Sequence, residues 1–401
     1  MNSANSPAVP SLVREINERR ALELLRNSGA LHAAEIARLI GLSRPTTSDI
    51  LRGLVENGLV QEYLPGLEDS KRARSVYEAV SDIKVSVGID IGSRFIRASI
   101  GDLNLKVLSN VSVPVKAKSL KAITQYIHQA VDEALKVSGY KLKDVAAICV
   151  GTPGVINQTS GVVSIAGTIA SLDGVNLAEL IKKEFGIKPT VENDINVLTV
   201  AEQSNGHGQN CQNFCVLSVG SGLGSGLVLN GQLHRGHHGA AGEVFYVPFG
   251  DPHDKHRSDT NPSGDRIAVI TRNLAKKYKG SVLAEPYSTI DILQAAKEGD
   301  ALGKAVIEQE AERIALYIAA VSAITDVELI VLSGGIGRQA DFFIAPIKKL
   351  VSEIIPFPPR IEISNLGDNG ILIGTLQIAT QDAREIVFEA AMAPASLGQA
   401  K

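Results

Sequence analysis

The chain has 401 residues, and 40 Lys and Arg against 43 Asp and Glu give a formal net charge of −3, so any nucleic-acid contact must be a local patch. A hydrophobic content of 44% excludes wholesale disorder and, at this length, predicts about two to four domains. Three cysteines give no disulfide framework, which favours a reducing cytoplasm. The sequence has no apolar run of about 18 residues, which speaks against membrane insertion, and residues 1–10 do not resemble a signal peptide, which speaks against secretion.

The first 80 or so residues have the pattern of a winged helix-turn-helix. Apolar residues at helical spacing predict three helices, which end at Gly29, Gly41 and Asn57. In the second helix the pattern places Ile36, Leu39 and Ile40 on one face. Two short strand-like runs follow, joined by a polar loop. Three helices with a tight turn, followed by a hairpin, predict a DNA-binding unit.

In this unit the third helix, capped by Ser43, would enter the major groove. Its first turn offers side chains to bases or phosphates, and the polar loop of the wing offers basic residues to phosphate or the minor groove. The predicted DNA contacts are Arg44, Thr46, Thr47, Ser48, Lys71, Arg72 and Arg74. Residues 1–85 hold eleven acidic and eleven basic residues, so no basic stripe marks the unit. Small three-helix units also serve as dimerisation or docking modules, and that alternative stays open at this point.

The remainder of the chain alternates strand-like and helical segments, which is typical of an α/β architecture. Strands are predicted at Val85–Ile91 and Val145–Val150, with a helix over about Leu120–Ser138 between them. Four glycine-rich junctions follow predicted strands. The carboxylate of the first could hold a metal-bound phosphate through water, and the backbone of the third could present N–H groups to an anion. The junctions are Asp90-Ile91-Gly92, Gly151-Thr152-Pro153-Gly154, the run from Val219 to Gly226, and the run from Leu332 to Gly337. One such turn often only reverses the chain, but four in one chain indicate phosphate chemistry.

A polar segment, Val191-Glu192-Asn193-Asp194-Ile195-Asn196, leads into another predicted helix. An Asp at the end of a strand can accept the proton of a sugar hydroxyl, and a neighbouring Asn can anchor a second hydroxyl. Asn and Asp are also ordinary helix N-caps, and spacing alone favours that interpretation.

In this order the segments resemble the ROK family of repressors, open reading frames and sugar kinases. The matching segments are residues 88–92, 150–161, 191–202, 217–243 and 331–337, and the most specific runs from Val219 through Gly236 to Glu243. The resemblance implies a two-lobed, actin-like and hexokinase-like (ribonuclease H-like) domain with a sugar cleft. The expected units are the winged helix-turn-helix at 1–82, a small lobe at 83–196, a large lobe at 197–381, and a C-terminal helix and tail at 382–401.

The resemblance also implies ligand residues. Sugar hydroxyls would contact Gly154, Asn193, Asp194 and Glu243, with Asp194 as the general base if the protein were a kinase. If nucleotide binding were retained, the residues implied are Asp90, Gly92, Gly222, Gly224, Gly334 and Gly335. No metal and no cofactor is expected.

Three departures from the family pattern oppose kinase activity. Ser93-Arg94 stands where the kinases have a Gly-Thr pair, and Arg94 would either block ATP or bind an anion. Tyr246 stands in place of a His that touches sugar and zinc, and the zinc cysteines are absent. Cys211, Cys215 and His207 could be offered as substitute ligands, but Cys215 reads as core. The histidines are expected to be solvated loop residues or ligand contacts: His237, His238, His253 and His256.

The sequence therefore predicts a cytoplasmic DNA-binding repressor of carbohydrate genes whose ROK domain binds a sugar or sugar-derived effector. Expected partners are double-stranded operator DNA, the carbohydrate effector and further copies of the chain in a homo-dimer or tetramer, with no membrane. One alternative is an ATP-dependent sugar kinase with a fused DNA-binding domain. Another is a sugar-binding module whose N-terminal unit docks proteins.

Overall fold

The computed structural model describes residues 10–64, 75–220, 222–249 and 261–393. Its N-terminal domain consists of three helices and a small antiparallel sheet with strand order β1-β3-β2. In chain order the elements are α1 (Pro10–Ser28), β1 (Leu31–His32), α2 (Ala33–Ile40), α3 (Arg44–Glu56), β2 (Val60–Tyr63) and β3 (Val76–Ala79). This is the predicted helix-turn-helix followed by its wing strands.

The turn between α2 and α3 is fixed by its ends. Gly41 ends α2 with φ of 73°, and the Ser43 hydroxyl accepts a hydrogen bond from the N–H of Thr46, as expected of a cap. Ile36 and Ile40 are buried together, whereas Leu39 is 47% exposed. The prediction that Leu39 shares the buried face is wrong, because a helix turns 100° between adjacent residues and carries Leu39 away from Ile40.

The first sheet of the larger domain has strand order β10-β7-β4-β5-β6, with β4, β7 and β10 parallel. Its strands are β4 (Val85–Ile91), β5 (Phe95–Asp102), β6 (Val107–Pro114), β7 (Val145–Thr152) and β10 (Thr190–Asn193). Helices α4 (Leu120–Ser138) and α5 (Leu177–Phe185) and a hairpin of β8 (Val155–Ile156) and β9 (Val163–Ser164) accompany it. Every residue of β4 is buried, as expected of a central strand covered on both faces.

The second sheet repeats this arrangement, with order β15-β14-β11-β12-β13 and β11, β14 and β15 parallel. Its strands are β11 (Phe214–Val219), β12 (Leu223–Leu229), β13 (Gln232–Leu233), β14 (Leu329–Ser333) and β15 (Arg360–Ile363). Its helices are α7 (Gly264–Ala275), α8 (Thr289–Lys297), α9 (Ala301–Thr325), α10 (Gly334–Gly337) and α11 (Ile344–Ile354). Two further helices, α6 (Asp194–Asn205) and α12 (Gly370–Met392), pack against each other.

Helix α12 returns the chain to the first sheet, where it packs on β4, β5 and β7. The approach is close: a Cβ on Gly88 would lie 2.6 Å from the Thr375 hydroxyl and 2.7 Å from the N–H of Leu376. The structure therefore differs from the expected boundary between 381 and 382, which cuts one continuous helix. That helix belongs with the 83–196 lobe, because sheet packing decides membership and chain order does not.

The last turns of α12 join the N-terminal domain. Ala383, Val387 and Phe388 are buried in one apolar cluster with residues of α1 and α3, such as Leu22 and Leu51. Within the ranges that the structure describes, no helix is long and apolar enough to cross a membrane.

Candidate functional site

A cleft of about 1630 Å³ lies where the two sheets face each other. The carboxyl ends of the parallel strands β4 and β10 open onto it from one lobe, and those of β11 and β14 from the other. In α/β proteins the loops that follow such ends form ligand sites, since they gather residues distant in sequence. This cleft is therefore the candidate ligand site.

The structure brings together the residues predicted to bind sugar and nucleotide. All ten line the cleft: Asp90, Gly92, Gly154, Asn193, Asp194, Gly222, Gly224, Glu243, Gly334 and Gly335. Ser93 and Arg94, which depart from the kinase pattern, line it too. Tyr246 does not; it is 59% exposed and its ring lies edge-on to Phe245.

Asn193 has a positioning role in this cleft. Its Oδ1 accepts from the N–H groups of Ile195 (2.8 Å) and Asn196 (3.0 Å), which makes it the N-cap of α6. Its Nδ2 donates to the carbonyl oxygen of Gly154 at 2.9 Å. Asn193 therefore ties the loop after β7 to the start of α6, and the helix-cap interpretation of this residue is confirmed.

Three of the carboxyl groups that line the cleft have a raised pKa: Asp194, Glu243 and Asp90. Burial raises the pKa of Asp194 to about 6, and the charge of Glu243 adds to the rise. The hydrogen bond that Asp194 accepts from the N–H of Ile195 opposes it. Burial also raises the pKa of Glu243. Burial raises the pKa of Asp90 to about 7, although Arg97, 3.6 Å away, opposes the shift. A set of poorly solvated carboxyl groups can accept or donate hydrogen bonds in fixed directions, as polyhydroxylated ligands require.

Glu192 does not line the cleft but supports it from behind, and the sequence analysis did not single it out. It is buried, and its carboxylate accepts from the N–H of Asn193 and from Nδ2 of Asn196, both at 3.0 Å. It also forms an ion pair with Arg235, which follows β13 in the other lobe. The signal was present, because a carboxylate within a buried strand requires a partner. Arg235, 43 residues away, could not be identified as that partner from spacing.

Arginines gather at another part of the cleft wall. Arg94, Arg97 and Arg338 all lower the pKa of Asp368, most strongly Arg338, which forms an ion pair with it. Nη1 of Arg97 donates to the carbonyl oxygen of Asp368 at 2.5 Å. The sequence analysis noticed only Arg94, since the other three residues lie in no recognisable motif.

The start of α3 is the candidate DNA interface. Arg44, Thr46 and Ser48 are exposed there, so their side chains are available to bases or phosphates. Thr47 is fully buried and its hydroxyl donates to the Ser43 carbonyl oxygen at 3.0 Å. Its side chain thus supports the helix start from inside and is not offered to DNA. The predicted wing contacts Lys71, Arg72 and Arg74 lie outside the described residues.

The cysteines and histidines are dispersed. Cys215 is fully buried in β11, and burial raises the pKa of its thiol to about 12. His237 and His238 are exposed and lie against each other, with ring centroids 4.5 Å apart. His253 and His256 fall in the range 250–260, which the structure does not describe. Among the residues it does describe, no group of three or more His, Cys, Asp or Glu could hold a metal ion.

Comparison with known families gives two matches. The profile of the ROK family matches residues 86–382, and that of the IclR helix-turn-helix domain matches residues 20–62. The first covers both sheets and the cleft, and the second runs from the middle of α1 through α2 and α3 into β2.

Comparison with individual proteins agrees. The chain is similar to the xylose repressor of Caldicellulosiruptor bescii, with 23% identity over 93% of this chain and 97% of that one. It is also similar to the DNA-binding transcriptional dual regulator NagC of Escherichia coli K12, with 25% identity over 84% of each chain. The crystal structure of a ROK family transcriptional regulator, a homologue of the E. coli MLC protein, superimposes with a TM-score of 0.78 at 20% identity. That superposition covers 94% of this chain and 98% of the other.

Proposed function

The chain belongs to the ROK family, and from that premise we propose that it is a DNA-binding repressor of carbohydrate genes, controlled by a sugar or sugar-derived effector in the cleft. One relative named as a xylose repressor aligns with 93% of this chain, and one named as a DNA-binding transcriptional dual regulator aligns with 84% of it. The observation that carries the proposal is that α12 extends from the cleft to the helix-turn-helix domain. Ile371, at its beginning, lines the cleft, and Phe388, near its end, is buried against α1 and α3.

At the effector end, Asp194 and Glu243 supply the hydroxyl acceptors. Both side chains line the cleft, and the charge of Glu243 contributes to the raised pKa of Asp194. Sugar hydroxyls suit such a pair because every hydroxyl can donate to a carboxylate. The cleft exceeds the roughly 300–1,000 Å³ of common ligand pockets, so there is room for the lobes to close on a ligand.

Between the two ends, α6 and α12 form a rigid contact. Asp194 is the first residue of α6, and one turn further on the carbonyl of Val197 packs against Gly374 of α12 without room for a side chain. The Glu192–Arg235 ion pair, directly before α6, links this region to the other lobe. Movement of the lobes at the cleft therefore moves α6, and α6 cannot move without α12.

At the DNA end, α12 is fixed to the helix-turn-helix domain by polar contacts as well as by apolar packing. Arg384 forms an ion pair with Glu23 of α1 at 3.2 Å, and it is held in place by donating to the carbonyl oxygen of Leu103, which follows β5, at 2.7 Å. Arg19 of α1 lies over the Phe388 ring, 4.1 Å from its centroid, and forms an ion pair with Glu385. A rotation of α12 thus reorients α1 and, with it, the recognition helix α3.

The proposed mechanism is linkage between effector and operator. An effector changes operator affinity only by the difference in its affinity for the two arrangements of the lobes. A two-half operator requires at least a dimer, so the proposal includes a homo-dimer or tetramer whose paired recognition helices change their spacing.

The test is operator binding by the full-length chain. An operator is first selected from randomised duplex DNA, and its affinity is then measured by fluorescence anisotropy with and without free sugars, amino sugars, polyols and sugar phosphates. Arg44→Ala should weaken binding about tenfold, and Asp194→Asn should abolish the effector response while leaving operator affinity intact. Arg272→Ala, which removes an exposed arginine paired with Glu285 outside the cleft, is the control. The proposal fails if no sequence is enriched or if no compound alters operator affinity.

A second candidate, an ATP-dependent sugar kinase with a fused DNA-binding domain, is favoured by one observation. Asp194, which would be the base, has a pKa of about 6, close to the value that serves proton abstraction near neutrality. Asp90 and the glycine turns after β11 and β14 are also in place. Against it stands Arg94 in the phosphate loop. Release of ADP from Mg-ATP that depends on both a sugar and Asp194 would establish the kinase.

A further inference from the structure

The face of α3 that points away from the domain core carries an ion pair. The buried face of the helix is formed by residues such as Ile50, Leu51 and Leu54. Asp49 and Arg52 lie on the opposite side, because each residue turns the helix by about 100°. Nη2 of Arg52 is 3.2 Å from Oδ1 of Asp49, and the two side chains are 66% and 65% exposed. The pair therefore stands where a helix that lies in the major groove meets base edges.

The Asp49–Arg52 pair has no evident structural task in its own domain. An exposed ion pair between residues three apart on a helix contributes little to stability. Another cation near Asp49, Arg14 of α1, pairs with Glu18 at 2.8 Å. In the part of the chain that the structure describes, neither Asp49 nor Arg52 makes a further hydrogen bond or ion pair. Their remaining polar atoms are therefore available to a ligand.

A carboxylate is an unusual group on a surface that approaches DNA. Helix α3 contains two basic residues, Arg44 and Arg52, and Asp49 stands beside the second. Phosphates repel Asp49, so this residue lowers the affinity for duplex DNA in general. What a carboxylate gains in the major groove is a hydrogen bond from a base, and the amino group N4 of cytosine is the donor that carboxylates contact. Asp49 thus exchanges general affinity for a preference among bases.

Together the two side chains match the major-groove edge of a G·C pair. Guanine presents two neighbouring acceptors, N7 and O6, which suit the parallel donors of a guanidinium group. Beside them the paired cytosine presents its donor, N4. The contact with Asp49 engages one of the N–H donors of Arg52, so others remain for guanine. Because the pair is formed before DNA binds, less side-chain entropy is lost when Arg52 is ordered on the base.

We propose that the Asp49–Arg52 pair reads a G·C base pair in each operator half-site, with Arg52 donating to guanine and Asp49 accepting from N4 of cytosine. This inference rests on the proposed function, since it requires an operator beside α3, and it states a base pair which that operator must contain. Asp49 has two tasks: it holds Arg52 in place, and it disfavours base pairs that present no donor at its position.

The test is operator selection by the full-length chain, followed by affinity measurements. Randomised duplex DNA is enriched in parallel by the unaltered chain, Arg52→Ala, Arg52→Lys and Asp49→Ala, and affinities are measured by fluorescence anisotropy. Each G·C pair of the selected half-site is then replaced by A·T. One replacement should weaken binding by the unaltered chain about tenfold or more and leave Arg52→Ala unaffected, because that variant has already lost the contact.

The two residues should differ in their effect on unrelated duplex DNA. Arg52→Ala should bind the operator about tenfold more weakly. Asp49→Ala should bind unrelated DNA more tightly, because a charge that repels phosphate is gone. Both variants should therefore show a smaller ratio between the affinities for operator and unrelated DNA. Arg52→Lys should retain part of the preference for guanine, since Lys also donates to O6 and N7.

Lys182→Ala is the matched control. Lys182 belongs to an exposed ion pair with the same spacing in α5, where it lies 3.7 Å from Glu179. This variant should bind and select DNA as the unaltered chain does. Asp49 and Arg52 are largely exposed, so their variants are expected to fold, and urea unfolding checks this.

Three results would overturn the inference while leaving a sequence-specific repressor intact. The first is a loss of affinity in Arg52→Ala that is equal for operator and unrelated DNA, with a smaller salt dependence, since this identifies a phosphate contact. The second is an unchanged preferred sequence in both Arg52→Ala and Asp49→Ala. The third is a selected half-site without a G·C pair. If the unaltered chain enriches no sequence, the proposed function itself fails, and the inference fails with it.

Discussion

Replacing Gly374 with Ala should separate the two helices that connect the cleft with the DNA-binding domain. A Cβ at this position would lie 2.8 Å from both the carbonyl carbon and Cγ1 of Val197, and closer still to the carbonyl oxygen. The obstacle is backbone inside α6, so it cannot be relieved by a rotamer change and the helices must move apart. Overpacking of this kind costs about 1–3 kcal/mol, and exchanging a helical Gly for Ala returns about 0.5–1 kcal/mol. We expect a net loss of about 1–2 kcal/mol in the free energy of unfolding.

Gly370→Ala is the matched control, because it makes the same substitution in the same helix. There the new Cβ would approach only Cδ1 of Leu198, the flexible end of a side chain, and the next atom, Cβ of Leu366, is 3.4 Å away. Its backbone is already helical, with φ of −53°. We therefore expect Gly370→Ala to leave stability unchanged or slightly raised.

The assay has two parts, urea unfolding and operator affinity with and without effector. Gly374→Ala should lower the unfolding midpoint and reduce the factor by which the effector changes operator affinity, since α6 and α12 no longer move as a unit. Equal midpoints for Gly374→Ala and Gly370→Ala would refute the packing argument. A lowered midpoint with a full effector response would refute the assignment of this contact to signal transmission.

Three further predictions concern groups whose environment the structure defines. The affinity for a sugar effector should fall as the pH drops through about 6, because protonation of Asp194 removes an acceptor, and Asp194→Asn should abolish this pH dependence in titration calorimetry. Glu310 is fully buried, its oxygens have no hydrogen-bonding partner in the described part of the chain, and its pKa is raised to about 8. The pKa of Glu310 is higher in the folded than in the unfolded chain, so the free energy of unfolding should decline as the pH rises, by an amount on the order of 4 kcal/mol between pH 5 and 9. Urea unfolding of Glu310→Gln should not show that decline. The same pH dependence in the variant as in the unaltered chain would contradict the assignment. Phe388→Ala should lower the free energy of unfolding by about 3–5 kcal/mol, because it removes a buried ring. It should also abolish the influence of the effector on operator affinity, while a thermal-shift assay still detects effector binding. Ile386→Ala, at a 47% exposed position of the same helix, should leave both stability and the effector response unchanged.

Elements with a strong local pattern could be predicted from the sequence. The helix at Leu120–Ser138 and the strand at Val85–Ile91 have the predicted bounds, because apolar periodicity, caps and turn residues are local signals. The ten cleft residues could be named because strand-end glycines and the Asn193-Asp194 pair stand in recognisable segments. The roles of these residues, and the DNA contacts at the start of α3, remain predictions until ligand and operator are tested.

What could not be predicted depends on contacts between distant parts of the chain. Arg97 and Asp368 are 271 residues apart, and neither carries a motif that indicates the other. The burial of Thr47 is a matter of helix phase, which a list of polar residues in a first turn does not capture. The expected boundary at 381 lies inside α12 for a related reason, since this helix packs on the first sheet, most closely at Gly88 of β4.

The attachment of the DNA-binding domain explains why α12 can control it. Only five residues separate β3 from β4. The first two of them are hydrogen-bonded to the two domains: the N–H of Val80 donates to the Leu59 carbonyl, and the Ser81 carbonyl accepts from the N–H of Leu103, each at 2.9 Å. So short a linker keeps the DNA-binding domain close to the cleft domain, but a single linker would still allow it to rotate. The second attachment, through Arg384 and Phe388, couples the domain to α12, because a rotation of α12 relative to β4 then also rotates the domain about its linker. Helices α1 and α12 thus meet at the place where, in the proposed mechanism, a change in the cleft reorients the recognition helix α3.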